Sequence, residues 1–218
     1  MARTNLAVAI PLAQPWSMFV EPTNVCNFSC PICPESFEDY KQRAGYYERM
    51  PDFVWRRLVE SMLGWGLRLK VMRMYFEGEP LLNPRLPKMI AEAKGLRLAE
   101  RVEVTSNGSR IDRQTAYQLI MSGLDYIRIS VYGVTNAGYE LATGTRWTLE
   151  SILANVGELR RQRDTYSSNL KIHAQLVSDT ADPALFYEQW RPIADQCDVK
   201  TIHNWGSSAD RLVQLGQS

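Results

Sequence analysis

The chain of 218 residues is predicted to form an α/β fold, a six-stranded partial (β/α)6 barrel of the TIM type. Short apolar runs typical of strands alternate with longer stretches of helical periodicity, and this alternation favours right-handed parallel βαβ units. Polar and reactive residues follow the strands at their carboxyl ends, where barrels of parallel strands build their active sites. Because fewer strands are predicted than a closed barrel needs, we expect the barrel to be open on one side.

The first half of the chain shows this alternation through local signals. Three short apolar runs that stop at polar residues are predicted as strands over 18–20, 71–76 and 101–105. The first helix, over 51–63, has apolar residues at helical spacing and Pro51 near its start. The second, over 84–94, is followed by Gly95, a residue type suited to a helix C-terminus. The third runs from about 112 to 122, with Asp112 as its N-cap and Gly123 after its end.

The second half repeats the pattern. Strands are predicted over 126–131, 170–177 and 199–202, and helices over 148–163 and 183–194, with Thr148 as an N-cap. The expected organisation is a lead-in over 1–16, a single barrel core over 17–206 and a short tail over 207–218.

Composition narrows the class of protein. Lys and Arg number 25 and Asp and Glu 24, so the net charge of +1 provides no basic field for nucleic acid. The apolar run at residues 6–10 is too short for a membrane span and is a poor secretory signal. We therefore expect a cytoplasmic protein with no nucleic-acid partner and no membrane span, in a compartment that keeps thiols reduced.

Three of the four cysteines lie within the stretch EPTNVCNFSCPICP, as Cys26, Cys30 and Cys33. Clustered cysteines in a reducing compartment favour metal binding or redox chemistry over disulfides, and their place between prolines in a loop disfavours simple core filling. The spacing alone leaves zinc, redox and iron–sulfur interpretations open. A structural zinc site uses four ligands, whereas three cysteines on an iron–sulfur cluster leave one iron open. Cys197 is predicted at the far edge of the sheet, as a small buried hydrophobe.

At these residues the sequence resembles the radical S-adenosylmethionine (radical SAM) enzymes. The wording E-P-T-N-x-C-N-x-x-C-P-x-C-P is similar to the branch whose members often carry a C-terminal SPASM extension. Four further motifs follow in the family's order: EGEP at 77–80, TSNG at 105–108, ISVYG at 129–133 and HNWG at 203–206.

The resemblance implies that the three cysteines are the catalytic metal ligands of a [4Fe–4S] cluster, whose open iron is chelated by S-adenosylmethionine (SAM). It implies reductive cleavage of SAM to a 5′-deoxyadenosyl radical, with electrons from a donor such as flavodoxin or ferredoxin. The positions matched to SAM binding are Ile32, Gly78, Glu79, Pro80, Ser106, Asn107, Ser130 and Trp205. Ile32 departs from the family, which often has an aromatic residue there that contacts adenine.

Several of these assignments have simpler alternatives. Glu79 is predicted to bind the SAM amine, although a loop glutamate is often just solvated. Ser106 and Asn107 suit the ribose hydroxyls or the methionyl carboxylate, although an Asn-Gly pair also forms a turn without any ligand. Trp205 is predicted either to stack near adenine or to close the barrel.

Other residues are less tightly tied to the family pattern. Gln175 shares one strand face with His173, so it contacts cofactor or substrate if that face points inward. His173 has no assigned role, and His203 is interpreted as a structural histidine at a strand end. Glu77 stands where the family has glycine, which puts the local backbone geometry in question or turns Glu77 toward substrate.

The leading hypothesis is a radical SAM enzyme acting on a peptide, a sugar or another small molecule. A non-catalytic protein that binds the cluster or SAM and serves as a partner or regulator is the alternative, and a zinc-binding module is a third. No cysteine follows Cys197, so the sequence is interpreted either as a minimal single-cluster enzyme or as a core truncated before an auxiliary-cluster extension.

Overall fold

The computed structural model describes residue 7 and residues 9–202, which form one parallel sheet with helices on one side. Its strands pair in the order β1-β2-β3-β4-β5-β6, so each strand lies beside its neighbour in sequence. They are β1 (Ser17–Phe19), β2 (Leu69–Arg73), β3 (Ala99–Ser106), β4 (Tyr126–Val131), β5 (Lys171–Val177) and β6 (Gln196–Lys200). Within the described range β1 and β6 are the two edges and do not pair with each other. The predicted α/β class and open partial barrel are confirmed.

Seven α-helices connect or flank these strands in the described residues. They are α1 (Tyr40–Ala44), α2 (Asp52–Gly64), α3 (Leu86–Gly95), α4 (Arg113–Met121), α5 (Asn136–Thr143), α6 (Leu149–Thr165) and α7 (Pro183–Trp190). The predicted N-caps are confirmed, because Asp112 accepts a hydrogen bond from the Thr115 amide and Thr148 accepts one from the Ser151 amide. None of these helices combines the length and the apolar character needed to cross a bilayer.

Two helices, α1 and α5, escaped the sequence prediction because both are too short to show a clear apolar period. Helix α5 did carry end signals that could have revealed it. Thr135 caps its N-terminus by accepting from the Gly138 amide, and Gly144 ends it with a φ of 58°.

The predicted bounds of two strands were wrong. Strand β2 begins at Leu69 and ends at Arg73, because the apolar run beyond Arg73 belongs to the following loop. Strand β6 covers Gln196–Lys200, earlier than the predicted range. Its polar residues alternate with Cys197 and Val199, so a search for a continuous apolar run finds only its end.

The two faces of the sheet differ in character. The face under the helices is apolar, and Val102, Ile127 and Leu176 are fully buried there with helical residues such as Leu159. The opposite face, called the inner face below, carries polar side chains in register across the strands, for example in the pair Arg73 and Glu103. A parallel sheet buried on both sides is usually apolar on both. The polar inner face therefore points to a ligand-binding interior.

Candidate active site

The loop after β1 carries the three predicted ligand cysteines as free thiols, with Cys30 buried and the other two half-buried. The Cys33 amide donates to the Cys30 carbonyl at 2.9 Å, and the Cys26 amide donates to Oε1 of Glu35 at 3.0 Å. Burial raises the pKa of all three thiols, to about 11 for Cys33. Thiolates are the form that binds metal, so these groups need a cationic partner before they give up their protons.

The donor set is compatible with an iron–sulfur cluster. Among residues 7 and 9–202 no three His, Cys, Asp or Glu side chains lie together closely enough to hold a single metal ion. In an iron–sulfur cluster each cysteine binds a different iron, so the sulfurs need not converge on one point. Three soft thiolate donors in one loop are therefore compatible with a [4Fe–4S] cluster, and among them they leave one iron without a protein ligand.

The cysteine loop is attached to the segment after β2 through one side-chain contact and one backbone contact. Glu21 accepts the Glu77 amide at 2.8 Å, and the Glu79 amide donates to the Val25 carbonyl at 2.9 Å. Between them, Gly78 lies so close to the backbone of the segment before Cys26 that an added Cβ would be 2.4 Å from the Thr23 carbonyl oxygen. The glycine of the EGEP motif is thus explained by the approach of two loops.

Replacing Gly78 with alanine is expected to lower the free energy of unfolding by about 1–3 kcal/mol, because the methyl group meets backbone atoms that cannot rotate away. Chemical denaturation measures this change, and iron retention reports whether the cysteine loop has moved. Gly95→Ala is the matched control, since a Cβ there meets nothing within 4 Å and alanine favours the helix. Equal stability of the two variants would contradict the close contact.

Glu79 is the most deeply buried carboxyl group at this edge of the sheet, with 2% of its surface exposed. Its Oε2 accepts the Asn107 amide at 2.7 Å, and its Oε1 accepts Oγ of Ser106 at 2.8 Å and the Leu81 amide at 3.1 Å. Burial nevertheless raises the pKa of Glu79 to about 7. No cation is paired with it among the described residues, so no ion pair offsets the cost of ionising it. The alternative of a solvated loop carboxylate is therefore wrong.

The TSNG segment at the end of β3 is tied to the cysteine loop through Asn107. Its Nδ2 donates to Oδ1 of Asn27 at 3.0 Å, and its Oδ1 accepts the Ser109 amide at 2.9 Å. Asn27 in turn donates to Oγ of Ser109 at 2.8 Å, while Gly108 adopts a φ of 79°. The segment is thus a turn that also fixes the asparagine following the first cysteine. The predicted contacts of Ser106 and Asn107 with SAM stay predictions.

The remaining predicted residues occupy several positions around the sheet. Ile32 is half-buried in the cysteine loop, and Pro80 is buried at the start of a 3-10 helix over Pro80–Leu82. Ser130 is half-buried on β4. Gln175 shares the inner face with His173, and its Nε2 donates to Oδ2 of Asp198 at 3.0 Å. Its predicted contact with cofactor or substrate stays a prediction. Trp205 and His203 lie outside the described residues.

Two residues whose roles were left unassigned also have defined surroundings. His173 is buried on the inner face, where its ring nitrogens contact Tyr126 and Asp198, and burial lowers the pKa of this imidazole. Cys197 is half-buried in β6 and packs on the core, consistent with its interpretation as a small hydrophobe.

The structure brings further residues to the site that sequence reasoning missed. Tyr47 donates to Oε1 of Glu35 at 2.8 Å, which holds the acceptor of the Cys26 amide. The buried hydroxyl of Tyr40 donates to Oε2 of Glu77 at 2.6 Å. Glu77 is not among the described residues with a positive φ, so its backbone does not need the glycine found in the family. No sequence signal pairs these residues, because the pairing depends on how the segment containing α1 folds back over the cysteine loop.

The fold and the cysteine loop define a parallel α/β partial barrel with a thiol-rich site at the carboxyl edge of its sheet. The family model of the radical SAM superfamily matches residues 20–170, and the chain belongs to that superfamily. Members of this superfamily use a [4Fe–4S] cluster and SAM. The predicted resemblance is confirmed.

Curated relatives are similar over much of this chain. The chain is 30% identical over 193 residues to PqqA peptide cyclase of Xanthomonas campestris pv. campestris (strain B100), covering 88% of this chain and 49% of that protein. It is 27% identical over 165 residues to PqqA peptide cyclase of Gluconobacter oxydans (strain 621H), covering 75% and 43% respectively. The chain therefore spans about half the length of the curated relatives it matches.

Two solved structures share the fold. Streptococcus suis SuiB bound to the precursor peptide SuiA superposes with a TM-score of 0.65 at 14% identity, over 91% of this chain and 42% of that one. Native anSMEcpe with bound AdoMet and Cp18Cys peptide gives a TM-score of 0.60 at 18% identity, over 87% of this chain and 51% of that one. At these identities the comparison supports the partial-barrel architecture alone.

Proposed function

We propose that this chain is the catalytic core of a radical SAM enzyme that modifies a peptide. The observation that carries the proposal is the cysteine loop itself, in which three thiols are held at the carboxyl edge by contacts to the ends of β2 and β3. Cys26, Cys30 and Cys33 would hold a [4Fe–4S] cluster, and SAM would bind beside it. The reduced cluster, when bound, supplies the electron that cleaves SAM to a 5′-deoxyadenosyl radical.

The chain's own residues are assigned binding and positioning roles. Glu79 is a buried carboxyl group without a cationic partner among the described residues, and burial raises its pKa to about 7. The positively charged amine of SAM would stabilise its ionised form. The ends of β3 and β4, with Asn107 and Ser130, offer hydrogen-bonding groups for the rest of that molecule. The inner face, with Gln175, would line the space between SAM and substrate.

A peptide is the proposed substrate class because the curated relatives are peptide cyclases and both compared structures were crystallised with peptides. Because β1 and β6 do not pair in the described residues, the open side of the barrel would be the entrance for such a chain. A small reductase such as flavodoxin or ferredoxin would provide the electron. We place the protein in the cytoplasm, where thiols stay reduced.

Anaerobic reconstitution with iron and sulfide is expected to load about four irons per chain. Addition of dithionite and SAM should then release 5′-deoxyadenosine, detected by chromatography and mass spectrometry. With a deuterated peptide substrate the deuterium should appear in 5′-deoxyadenosine. Protein that takes up the irons and binds SAM without ever cleaving it would contradict the enzymatic proposal and favour a cluster- and SAM-binding partner protein.

A further inference from the structure

The inner face contains a cavity that none of the assigned roles uses. It has a volume of about 290 Å³ and is lined by side chains from β2, β3, β4 and β6 and the loop after β2, among them Arg73, Tyr75, Arg101, Glu103 and Arg128. This volume suits one or two side chains of a ligand rather than a whole cofactor. The cavity therefore forms a separate pocket beside the candidate SAM site.

Positive charge is in excess in this cavity, where three guanidinium groups face one carboxylate. Glu103 is shared, since it pairs with Arg73 at 3.3 Å and also contacts Arg101. Nε of Arg101 is shielded from water and has no hydrogen-bond partner. Arg128 has no carboxylate or other acceptor within the part of the chain that the structure describes. A cavity wall with unused guanidinium donors is complementary to an anion.

Arg128 is held in position without being neutralised. Its guanidinium lies over the ring of Tyr75 at 5.6 Å from the centroid, and Arg101 lies over Tyr126 at 5.4 Å. Stacking on an aromatic face restricts the orientation of a guanidinium and leaves its edge N–H groups free. Arg128 is thus pre-organised for a planar acceptor with two oxygens, which is the shape of a carboxylate.

An exposed aromatic wall adjoins these arginines. The rings of Phe19 and Tyr75 are 5.6 Å apart, and those of Phe19 and Phe76 are 5.7 Å apart. Phe19 is 51% exposed and Phe76 is 60% exposed, although both lie at the mouth of the barrel. Arg73 lies over Phe19 at 5.3 Å, which joins the aromatic wall to the charged one. Large exposed rings beside unpaired donors indicate a surface that a partner covers.

The position of this surface links it to the candidate active site. Phe76 directly precedes Glu77 of the EGEP segment, and Ser130 lies two residues beyond Arg128 along the same face of β4. Two residues of a strand span about 7 Å, so Arg128 lies about that far along β4 from Ser130, toward the amino end of the strand.

We propose that this surface is the substrate-binding subsite for an acidic side chain of a peptide, with the carboxylate on Arg128 and a neighbouring apolar side chain on Phe19 and Phe76. The inference rests on the proposed function, because it names the part of a peptide substrate that the site recognises. No covalent step is involved. The arginines select and orient the peptide.

The test is calorimetric titration of the full reconstituted chain, without reductant, with two blocked tetrapeptides: acetyl-Ala-Glu-Leu-Ala-amide and its Gln counterpart. The Glu peptide is expected to bind about tenfold more tightly than the Gln peptide, and higher salt should narrow the difference. Arg128→Met should reduce the affinity for the Glu peptide to that for the Gln peptide. Arg57→Met, on the exposed side of α2, is the matched control and should change neither.

Equal affinity of the two peptides for the unmodified protein would overturn the proposal, as would an Arg128→Met variant that still discriminates between them. The peptide comparison in the unmodified protein remains decisive even if that variant does not fold. Because binding is measured without SAM cleavage, its failure is distinguishable from failure of the proposed enzymatic function, which is scored by 5′-deoxyadenosine.

Discussion

Replacement of Cys30 by alanine is expected to abolish the iron content and the production of 5′-deoxyadenosine together. Three cysteines are the whole protein ligand set offered in this loop, so the loss of one leaves a cluster with two protein ligands and two open irons. Alanine is preferable to serine, whose hydroxyl oxygen can still ligate iron. Iron analysis and the visible absorption of the cluster after anaerobic reconstitution measure the effect.

Cys197→Ala is the control for this experiment. Cys197 is half-buried in β6, at the opposite edge of the sheet from β1, and packs on the core like a small apolar side chain. Its variant should keep the iron content of the unmodified protein. Circular dichroism of both variants checks the fold, because Cys30 also belongs to the core cluster. Iron retained by Cys30→Ala, or lost from Cys197→Ala, would show that the ligand set is assigned wrongly.

Glu79 is expected to make the stability of the cluster-free protein depend on pH. Its pKa is about 7 in the folded protein, against 4.5 for an ordinary glutamate. Between these values the unfolded chain has released its proton and the folded chain has not, so stability falls as pH rises through this window. Above the folded pKa both states are ionised, the loss is complete, and it amounts to about 3 kcal/mol.

Comparison with Glu79→Gln isolates this contribution, because glutamine does not titrate. At about pH 5 the variant should be less stable than the unmodified protein by about 1–3 kcal/mol. The new side-chain NH2 group faces a hydrogen-bond donor in either orientation, namely the Asn107 amide or the donors at Oε1. Urea denaturation should show the unmodified protein losing about 3 kcal/mol relative to the variant by about pH 8, so that the difference falls to zero or reverses in sign. A difference that stays constant with pH would contradict the raised pKa.

The same substitution tests the proposed role toward SAM. An ammonium group beside Glu79 would stabilise the ionised carboxylate. SAM binding should therefore lower the pKa of Glu79 and form an ion pair with it. Glu79→Gln should therefore weaken SAM binding at least about tenfold at neutral pH. Unchanged affinity would restrict Glu79 to joining the ends of β2 and β3.

Much of the architecture follows from local pattern. The alternation of apolar strands with capped helices predicts a parallel sheet, and Asp112 and Thr148 cap the helices that they were predicted to cap. The prediction was weaker for β6, where the polar inner-face residues Gln196 and Asp198 interrupt the apolar run. The period of apolar residues in a strand reveals the face that packs on helices, but it does not reveal a polar face that binds a ligand.

The sequence by itself determined the class of site, because three thiols at fixed spacing after a strand, followed by motifs at later strand ends, resemble the pattern of radical SAM enzymes. Only the tertiary structure decided what most of the other motif residues do. Gly78 admits a neighbouring backbone, Asn107 holds Asn27, and Tyr40 holds Glu77. Each of these contacts joins residues far apart in the chain. Burial raises the pKa of Glu79, and the neighbours of Arg128 in the fold include no acceptor among the described residues. Neither property can be read from the order of residues.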